Sequence, residues 1–201
     1  RTMSIARDET TKSDLLRKGL SFFYLCDQNI WVYPEKAKIT LIDGQYEKFE
    51  QLSNYDVLEI SDDGSTSLYY DNRSTDNAII TTGKCNSNCI MCPTGNNPRK
   101  NATSLPIERL LELVNYIPSD APHITITGGE PFIIGRSIFA LFQALKDKFY
   151  RTEFLLLTNG RILCKNEFCQ LLKQTLPDRT VIGIPLHGYN AKTHDRITQS
   201  Y

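Results

Sequence analysis

The sequence predicts an α/β protein, with a β–α repeat over residues 77–201 and a small β-rich domain over residues 1–76. Three observations predict this organisation. Apolar runs typical of strands alternate with stretches of helical periodicity in the second part. The first part contains short strand-like runs separated by turn dipeptides. Polar and glycine-rich motifs directly follow the strands of the repeat, where parallel sheets place their binding sites.

The first 76 residues are expected to form mainly short strands. Residues 13–17 indicate a short helix. Strand-like runs follow at residues 38–44, 56–60 and 67–70. Asp43-Gly44 and Asp63-Gly64 are dipeptides of the hairpin kind. The resulting domain could accept an extended peptide by strand addition, or it could serve as a packing cover for the rest of the chain.

In the β–α repeat, four strands alternate with three helices. The strands are expected at residues 78–82, 124–127, 154–157 and 181–186. Apolar residues recur at helical spacing over residues 107–117, 138–149 and 168–175. The third strand is apolar throughout, as expected of a parallel strand covered on both faces. A repeat of this kind gives a parallel sheet with right-handed crossovers.

Three cysteines lie close together after the first strand of the repeat. Cys85, Cys89 and Cys92 have the spacing C-x3-C-x2-C, and no fourth cysteine is nearby. Iron–sulfur cubanes are usually held by four cysteine thiolates, so three thiolates imply a cubane with one open iron. Structural zinc needs a closed set of four ligands. The polar residues 86–88 between the thiols argue against three buried core cysteines. We call residues 85–92 the cysteine loop.

Further motifs follow the other three strands. Gly128-Gly129-Glu130-Pro131 comes after the second strand, Thr158-Asn159-Gly160 after the third, and His187-Gly188 after the fourth. The carboxyl ends of parallel strands meet at one edge of a sheet. We therefore expect these motifs and the cysteine loop to surround a single site.

The cysteine loop and the Gly-Gly-Glu-Pro motif together resemble the radical S-adenosylmethionine (radical SAM) enzymes. The resemblance implies a partial (β/α)6 barrel, of which the first four βα units are present. It also implies a [4Fe–4S] cluster on the three cysteines, with S-adenosylmethionine on the open iron. Such barrels usually carry two more βα units. Because the chain opens on Arg1 and ends at Tyr201, we expect it to be a fragment of a longer protein.

The resemblance implies cofactor contacts from six residues: Met91, Gly128, Gly129, Glu130, Asn159 and His187. Gly128 and Gly129 would let backbone approach the methionine moiety without a Cβ in the way, and Glu130 would meet its ammonium group. Met91 stands where the family usually has an aromatic residue near the adenine, and its thioether could cover an aromatic face. His187 would contact the ribose or carboxylate, or would be a rim histidine bonded to backbone.

Several segments resemble the smaller radical SAM maturase of the His-Xaa-Ser repeat peptide system. They lie at residues 56–60, 76–78, 183–186 and 193–195. This similarity implies a short peptide substrate, a second radical SAM protein as partner and a reductant protein. The alternatives are another radical SAM activity, such as cofactor biosynthesis or enzyme activation, and a non-catalytic iron–sulfur or zinc scaffold. Cleavage of S-adenosylmethionine would separate an enzyme from a scaffold.

Composition narrows the partners and the compartment. The chain has 23 Lys and Arg residues against 23 Asp and Glu residues, which leaves no electrostatic footprint for nucleic acid. No apolar run approaches the roughly 18 residues of a membrane span, and no signal peptide is visible. We expect neither a nucleic acid nor a membrane as partner. The six cysteines, three of them in the cysteine loop, favour a reducing compartment and predict a cytoplasmic protein.

Overall fold

The computed structural model describes residues 1–27, 29–39, 46–63, 65–94 and 102–199. The chain groups into two compact units. We call them unit 1, Arg1–Asn77 with Glu112–Ala121, and unit 2, Ala78–Leu111 with Pro122–Tyr201. Both sheets and helices are present, as expected for an α/β protein. Within the described ranges, no helix is long and apolar enough to cross a membrane. The proposed domain boundary at residue 76 stays a prediction.

Unit 1 is built around a six-stranded mixed sheet. Its strands are β1 (Thr2–Ala6), β2 (Phe22–Cys26), β3 (Asn29–Tyr33), β4 (Ala37–Ile39), β5 (Val57–Ile60) and β6 (Thr66–Tyr70). Its helices are α1 (Glu9–Arg17) and α2 (Tyr46–Glu50). The sheet order is β4-β3-β2-β1-β5-β6, and the pair β1–β2 is parallel while the other pairs are antiparallel.

Both faces of the unit 1 sheet are covered around β2. Phe22 and Tyr24 pack with Leu15 of α1 in one apolar cluster. Phe23 and Leu25 belong to a second apolar cluster. Successive side chains of a strand point to opposite faces, so the two clusters lie on opposite sides of the sheet. Burial on both sides explains why this strand is apolar without alternation.

The structure confirms part of the β-rich prediction and corrects another part. Strands β5 and β6 lie at the predicted positions and form an antiparallel pair. The predicted helix at residues 13–17 lies inside the longer α1. Strands β1, β2 and β3 were not predicted. β1 is buried at every position, including Thr2 and Ser4, which a half-buried alternating strand would leave exposed. Asp43-Gly44 and Gly64 lie outside the described residues.

Unit 2 is built around a four-stranded sheet. Its strands are β7 (Asn77–Ile80), β8 (His123–Thr127), β9 (Glu153–Leu157) and β10 (Thr180–Gly183). Its helices are α3 (Ile107–Tyr116), whose end belongs to unit 1, α4 (Ile138–Lys148), α5 (Asn166–Thr175) and α6 (Ala191–Thr198). The sheet order is β10-β9-β8-β7, and the pairs β8–β9 and β9–β10 are parallel. The predicted strand–helix alternation is therefore confirmed, although β10 ends at Gly183 and not at the predicted residue 186. Closure into a barrel stays a prediction, as does the fragment hypothesis.

The two faces of the unit 2 sheet differ in burial. Phe154 and Leu156 of β9 are 1% and 0% exposed. On the opposite face, Leu157 is 40% exposed and Val181 of β10 is 66% exposed. Because neighbouring strands are in register, residues of one face line up across β9 and β10. At β9 and β10 the sheet therefore has one packed face and one open face.

Candidate functional site

A pocket of about 550 Å³ lies at the carboxyl ends of the unit 2 strands. Thr127, Leu157 and Gly183 line this pocket, and each is the last residue of its strand. The side chains of Thr127 and Leu157 belong to the open face of the sheet. The pocket is therefore at the edge where parallel sheets commonly place their ligands.

All three thiols of the cysteine loop line the same pocket. Cys85, Cys89 and Cys92 are each partly buried. The backbone N–H of Ser87 donates to Cys85 Sγ at 3.4 Å. The described residues contain no set of three His, Cys, Asp or Glu side chains arranged around a single ion. A cubane binds each cysteine through a different iron, so its ligands stand further apart than the ligands of one ion. Three cysteines on one pocket are the kind of donor set that holds such a cluster.

The glycine pair packs against the backbone that leads into the cysteine loop. Gly128 has a φ of +152°, which favours glycine. A Cβ on Gly128 would overlap the carbonyl oxygen of Thr82, and a Cβ on Gly129 would overlap that of Lys84. Gly129 N donates to Thr82 O at 2.7 Å, and Glu130 N donates to Lys84 O at 2.8 Å. This packing is a reason for the two glycines that the sequence did not reveal. Their contact with the methionine moiety stays a prediction.

Glu130 is buried and accepts three hydrogen bonds within unit 2. Glu130 is only 3% exposed. Oε1 accepts from Phe132 N at 3.1 Å and from Thr158 Oγ1 at 2.8 Å, and Oε2 accepts from Asn159 N at 2.7 Å. Glu130 also caps the 3-10 helix Pro131–Ser137. The carboxylate therefore joins the segment after β8 to the segment after β9. It is not among the residues that line the described pocket.

Asn159 lines the pocket, whereas Met91 and His187 are not among its lining residues. Met91 is 48% exposed. His187 N donates to Nδ1 of His194 at 3.2 Å, and the two imidazole rings stack with centroids 5.8 Å apart. The proposed contacts of Met91 with adenine and of His187 with ribose stay predictions.

Two lining residues were missed because the fourth strand was expected to be longer. Ile184 and Pro185 line the pocket directly after β10. The sequence prediction placed both inside the strand, where they would have been structural. The glycine pair and Asn159 were selected because they directly follow parallel strands. The same rule would have selected Ile184 and Pro185 if the end of β10 had been known.

Comparison with known proteins identifies the family. No curated protein matches the chain. The model of the Radical SAM superfamily matches residues 79–201, which is more than half of the chain. The match includes the cysteine loop and all the residues named here on the pocket. Members of this superfamily generally bind a [4Fe–4S] cluster and S-adenosylmethionine. The chain belongs to the radical SAM superfamily.

Proposed function

We propose that the chain is a radical SAM enzyme in which Cys85, Cys89 and Cys92 hold a [4Fe–4S] cluster and the pocket receives S-adenosylmethionine. One observation supports this best: the three thiols and the glycine pair after β8 line the same pocket. When bound, the cluster supplies the electron that splits S-adenosylmethionine into methionine and a 5′-deoxyadenosyl radical, which takes a hydrogen atom from the substrate.

The chain's own residues supply ligands, shape and an apolar wall. Three cysteines leave one iron of a cubane open for a further ligand. Gly128 and Gly129 present backbone to the pocket. Leu157, Ile184 and Pro185 add apolar surface. Apolar walls that exclude water protect a reactive radical from side reactions.

Cluster ligation is tested by anaerobic reconstitution. Wild-type protein is expected to bind about four irons per chain, with broad charge-transfer absorbance. Cys89→Ala should lose most of this absorbance, because the loop would then offer only two thiolates. Cys26→Ala and Cys164→Ala are the controls, since these cysteines lie in β2 and in the 3-10 helix Arg161–Cys164. A full cluster in a variant without all three loop cysteines would contradict the assignment.

Turnover separates an enzyme from an iron–sulfur scaffold. S-adenosylmethionine should change the electron paramagnetic resonance spectrum of the reduced wild-type cluster, because it binds at the open iron. Release of 5′-deoxyadenosine should follow. A loaded cluster whose spectrum does not respond to saturating cofactor would favour the scaffold.

The substrate in this proposal is a short peptide, modified together with a second radical SAM protein and a reductant protein. The resemblance to the His-Xaa-Ser maturase supports this choice. Unit 1 also offers a suitable strand, since β6 lies at the edge of its sheet and Thr66, Ser67 and Leu68 are exposed. An extended peptide can add to such an edge through main-chain hydrogen bonds.

A charge on the edge strand tests peptide recognition. Leu68→Lys should weaken strand addition, because charged side chains on an edge oppose pairing. Mass spectrometry should then show less modification of the peptide encoded nearby, while 5′-deoxyadenosine release continues. Leu16→Lys is the matched control, because Leu16 of α1 is 43% exposed and Leu68 is 49% exposed. Full modification by Leu68→Lys would exclude this edge as the recognition surface.

A further inference from the structure

The buried carboxylate of Glu130 begins a chain of hydrogen bonds that ends on the cysteine loop. Buried charges persist in proteins when partners satisfy them. Glu130 has Phe132 N, Thr158 Oγ1 and Asn159 N as donors, at 2.7 to 3.1 Å. These donors leave the carboxylate engaged with protein rather than directed at a ligand. Its hydrogen bond with Asn159 N also fixes the backbone that carries the Asn159 side chain.

Asn159 continues the chain to the cysteine loop. Its Nδ2 donates to Asn86 Oδ1 at 2.7 Å, and its Oδ1 accepts from Arg161 N at 3.1 Å. Arg161 Nη1 in turn donates to Asn86 O at 2.8 Å. Two hydrogen bonds therefore end on Asn86, which directly follows Cys85. Asn86 accepts one of them through its side-chain Oδ1 and the other through its backbone carbonyl.

The same loop is also held further along the chain, by the end of helix α6. Asn88 N donates to Thr198 O at 2.9 Å, and Ile90 N donates to Ile197 O at 3.0 Å. The last carbonyls of a helix have no partner within the helix and accept such bonds readily. Residues between the cysteines thus bond outward at Asn86, Asn88 and Ile90, while the thiols line the pocket.

We propose that Glu130, Asn159 and Arg161 form a loop latch, a set of positioning residues that hold the cysteine loop through Asn86. The latch fixes the backbone next to Cys85, so that binding a cluster costs less ordering of the loop. Partners that orient ligands in this way commonly contribute 10- to 100-fold to metal affinity. The proposal rests on the proposed function, because it concerns a loop that carries a cluster. It assigns Glu130 and Asn159 to the loop and not to the methionine moiety.

Release of iron to a chelator tests the latch without any turnover. Wild type, Asn159→Ala and Asn86→Ala are reconstituted anaerobically, and the loss of cluster absorbance to a ferrous chelator is followed. Both variants should lose iron about tenfold faster than wild type, because the loop opens more readily. The double variant should be no faster than either single one, because both substitutions break the same hydrogen bond.

A conservative substitution separates the latch from a general loss of stability. Asn86→Asp keeps an acceptor oxygen for Asn159 Nδ2 and should release iron at the wild-type rate. Gln170→Ala, which removes an exposed amide on α5, is the matched control and should also match wild type. The thermal unfolding midpoint of Asn86→Ala should equal that of Asn86→Asp, since both changes lie at an exposed position.

Four outcomes would overturn the proposal. In the first, Asn159→Ala releases iron at the wild-type rate but binds S-adenosylmethionine more weakly, which would make Asn159 a direct cofactor contact. In the second, the single substitutions act additively in the double variant, which would show that they do not share one interaction. In the third, wild type itself loads no cluster, so that the proposed function fails as well. In the fourth, wild type loads a cluster and the variants release iron at the wild-type rate, which would exclude the loop latch and leave the proposed function intact.

Discussion

Unit 1 and unit 2 each contain a sheet, but their strands run in different patterns. In unit 2, β8, β9 and β10 run in one direction, so their last residues line one pocket. Among the described strands of unit 1, β1 and β2 are parallel and the other pairs are antiparallel, so most neighbouring strands end at opposite edges of the sheet. Strand direction thus decides where residues distant in sequence can gather.

Several carboxyl groups of unit 1 have shifted pKa values although no candidate site is described there. In unit 1, a hydrogen bond from Lys12 lowers the pKa of Glu9, and one from Lys18 lowers the pKa of Asp14. Burial raises the pKa of Asp56, although hydrogen bonds from the backbone of Ser53 and Asn72 oppose this rise. Each shift has a structural cause within unit 1. A shifted pKa by itself therefore does not mark a functional site.

The largest effect is expected where unit 2 brings two backbone segments together. Gly129→Val should abolish cluster loading, because its Cβ would overlap the carbonyl oxygen of Lys84 at the stem of the cysteine loop. Iron content after anaerobic reconstitution measures this. Gly135→Ala is the control: Gly135 has a φ of +69° but no atom within 4 Å of a new Cβ. It should cost about 1 kcal/mol of strain and keep the cluster. Normal loading of Gly129→Val would show that the two segments do not need this close contact.

A smaller effect, on stability alone, is expected in unit 1. Phe22 is fully buried and stacks on Tyr33 with ring centroids 4.8 Å apart. Phe22→Ala should lower the free energy of unfolding by about 3–5 kcal/mol, since it leaves a cavity. Urea unfolding followed by the fluorescence of Trp31, the only tryptophan, reports this unit. Leu16→Ala at the exposed surface should stay within about 0.5 kcal/mol of wild type. Equal effects of the two substitutions would contradict a core built on both faces of β2.

The smallest effect concerns the response of unit 1 to alkaline pH. Burial, followed by the negative charges of Asp120, Asp56 and Asp71, raises the pKa of Tyr70 to about 12. Above the ordinary pKa of 10.0 the unfolded chain loses this proton while the folded chain keeps it, so the free energy of unfolding falls as pH rises.

Tyr70→Phe should remove that part of the pH dependence. Between about pH 9 and about pH 11, wild type should lose about 1 kcal/mol more stability than Tyr70→Phe. Urea midpoints by Trp31 fluorescence at both pH values measure the difference. An identical pH response in both proteins would mean that Tyr70 titrates in the folded state as it does in the unfolded chain.

The sequence predicted the repeat of unit 2 better than the sheet of unit 1. Helices α3 to α5 have clear apolar periodicity, and residues 154–157 of β9 are an unbroken apolar run. In unit 1, β2 and β3 form an antiparallel pair around Asp27, without either of the turn dipeptides on which the prediction relied. Strand β1 pairs with β2 only after the crossover through α1. Because α1 separates the two strands in sequence, no turn dipeptide or local pattern marks their pairing.

The candidate site was predictable in its position and less so in its internal contacts. The spacing of the cysteines and the place of the glycine pair after β8 both follow from sequence, and the structure puts them on one pocket. The engagement of Glu130 with Thr158 and Asn159 depends on how two loops approach each other in space. No spacing or periodicity encodes that approach.

Phe132 gives the site a direct mechanical link to the packed side of unit 2. Its N–H donates to Glu130, while its ring lies 6.1 Å from the ring of Phe142 and 6.4 Å from those of Phe139 and Phe168. Interiors packed this densely transmit small displacements. Substitutions in helices α4 and α5 thus become a means of tuning the geometry of the pocket. Selection or laboratory evolution can act there while leaving every residue on the pocket unchanged.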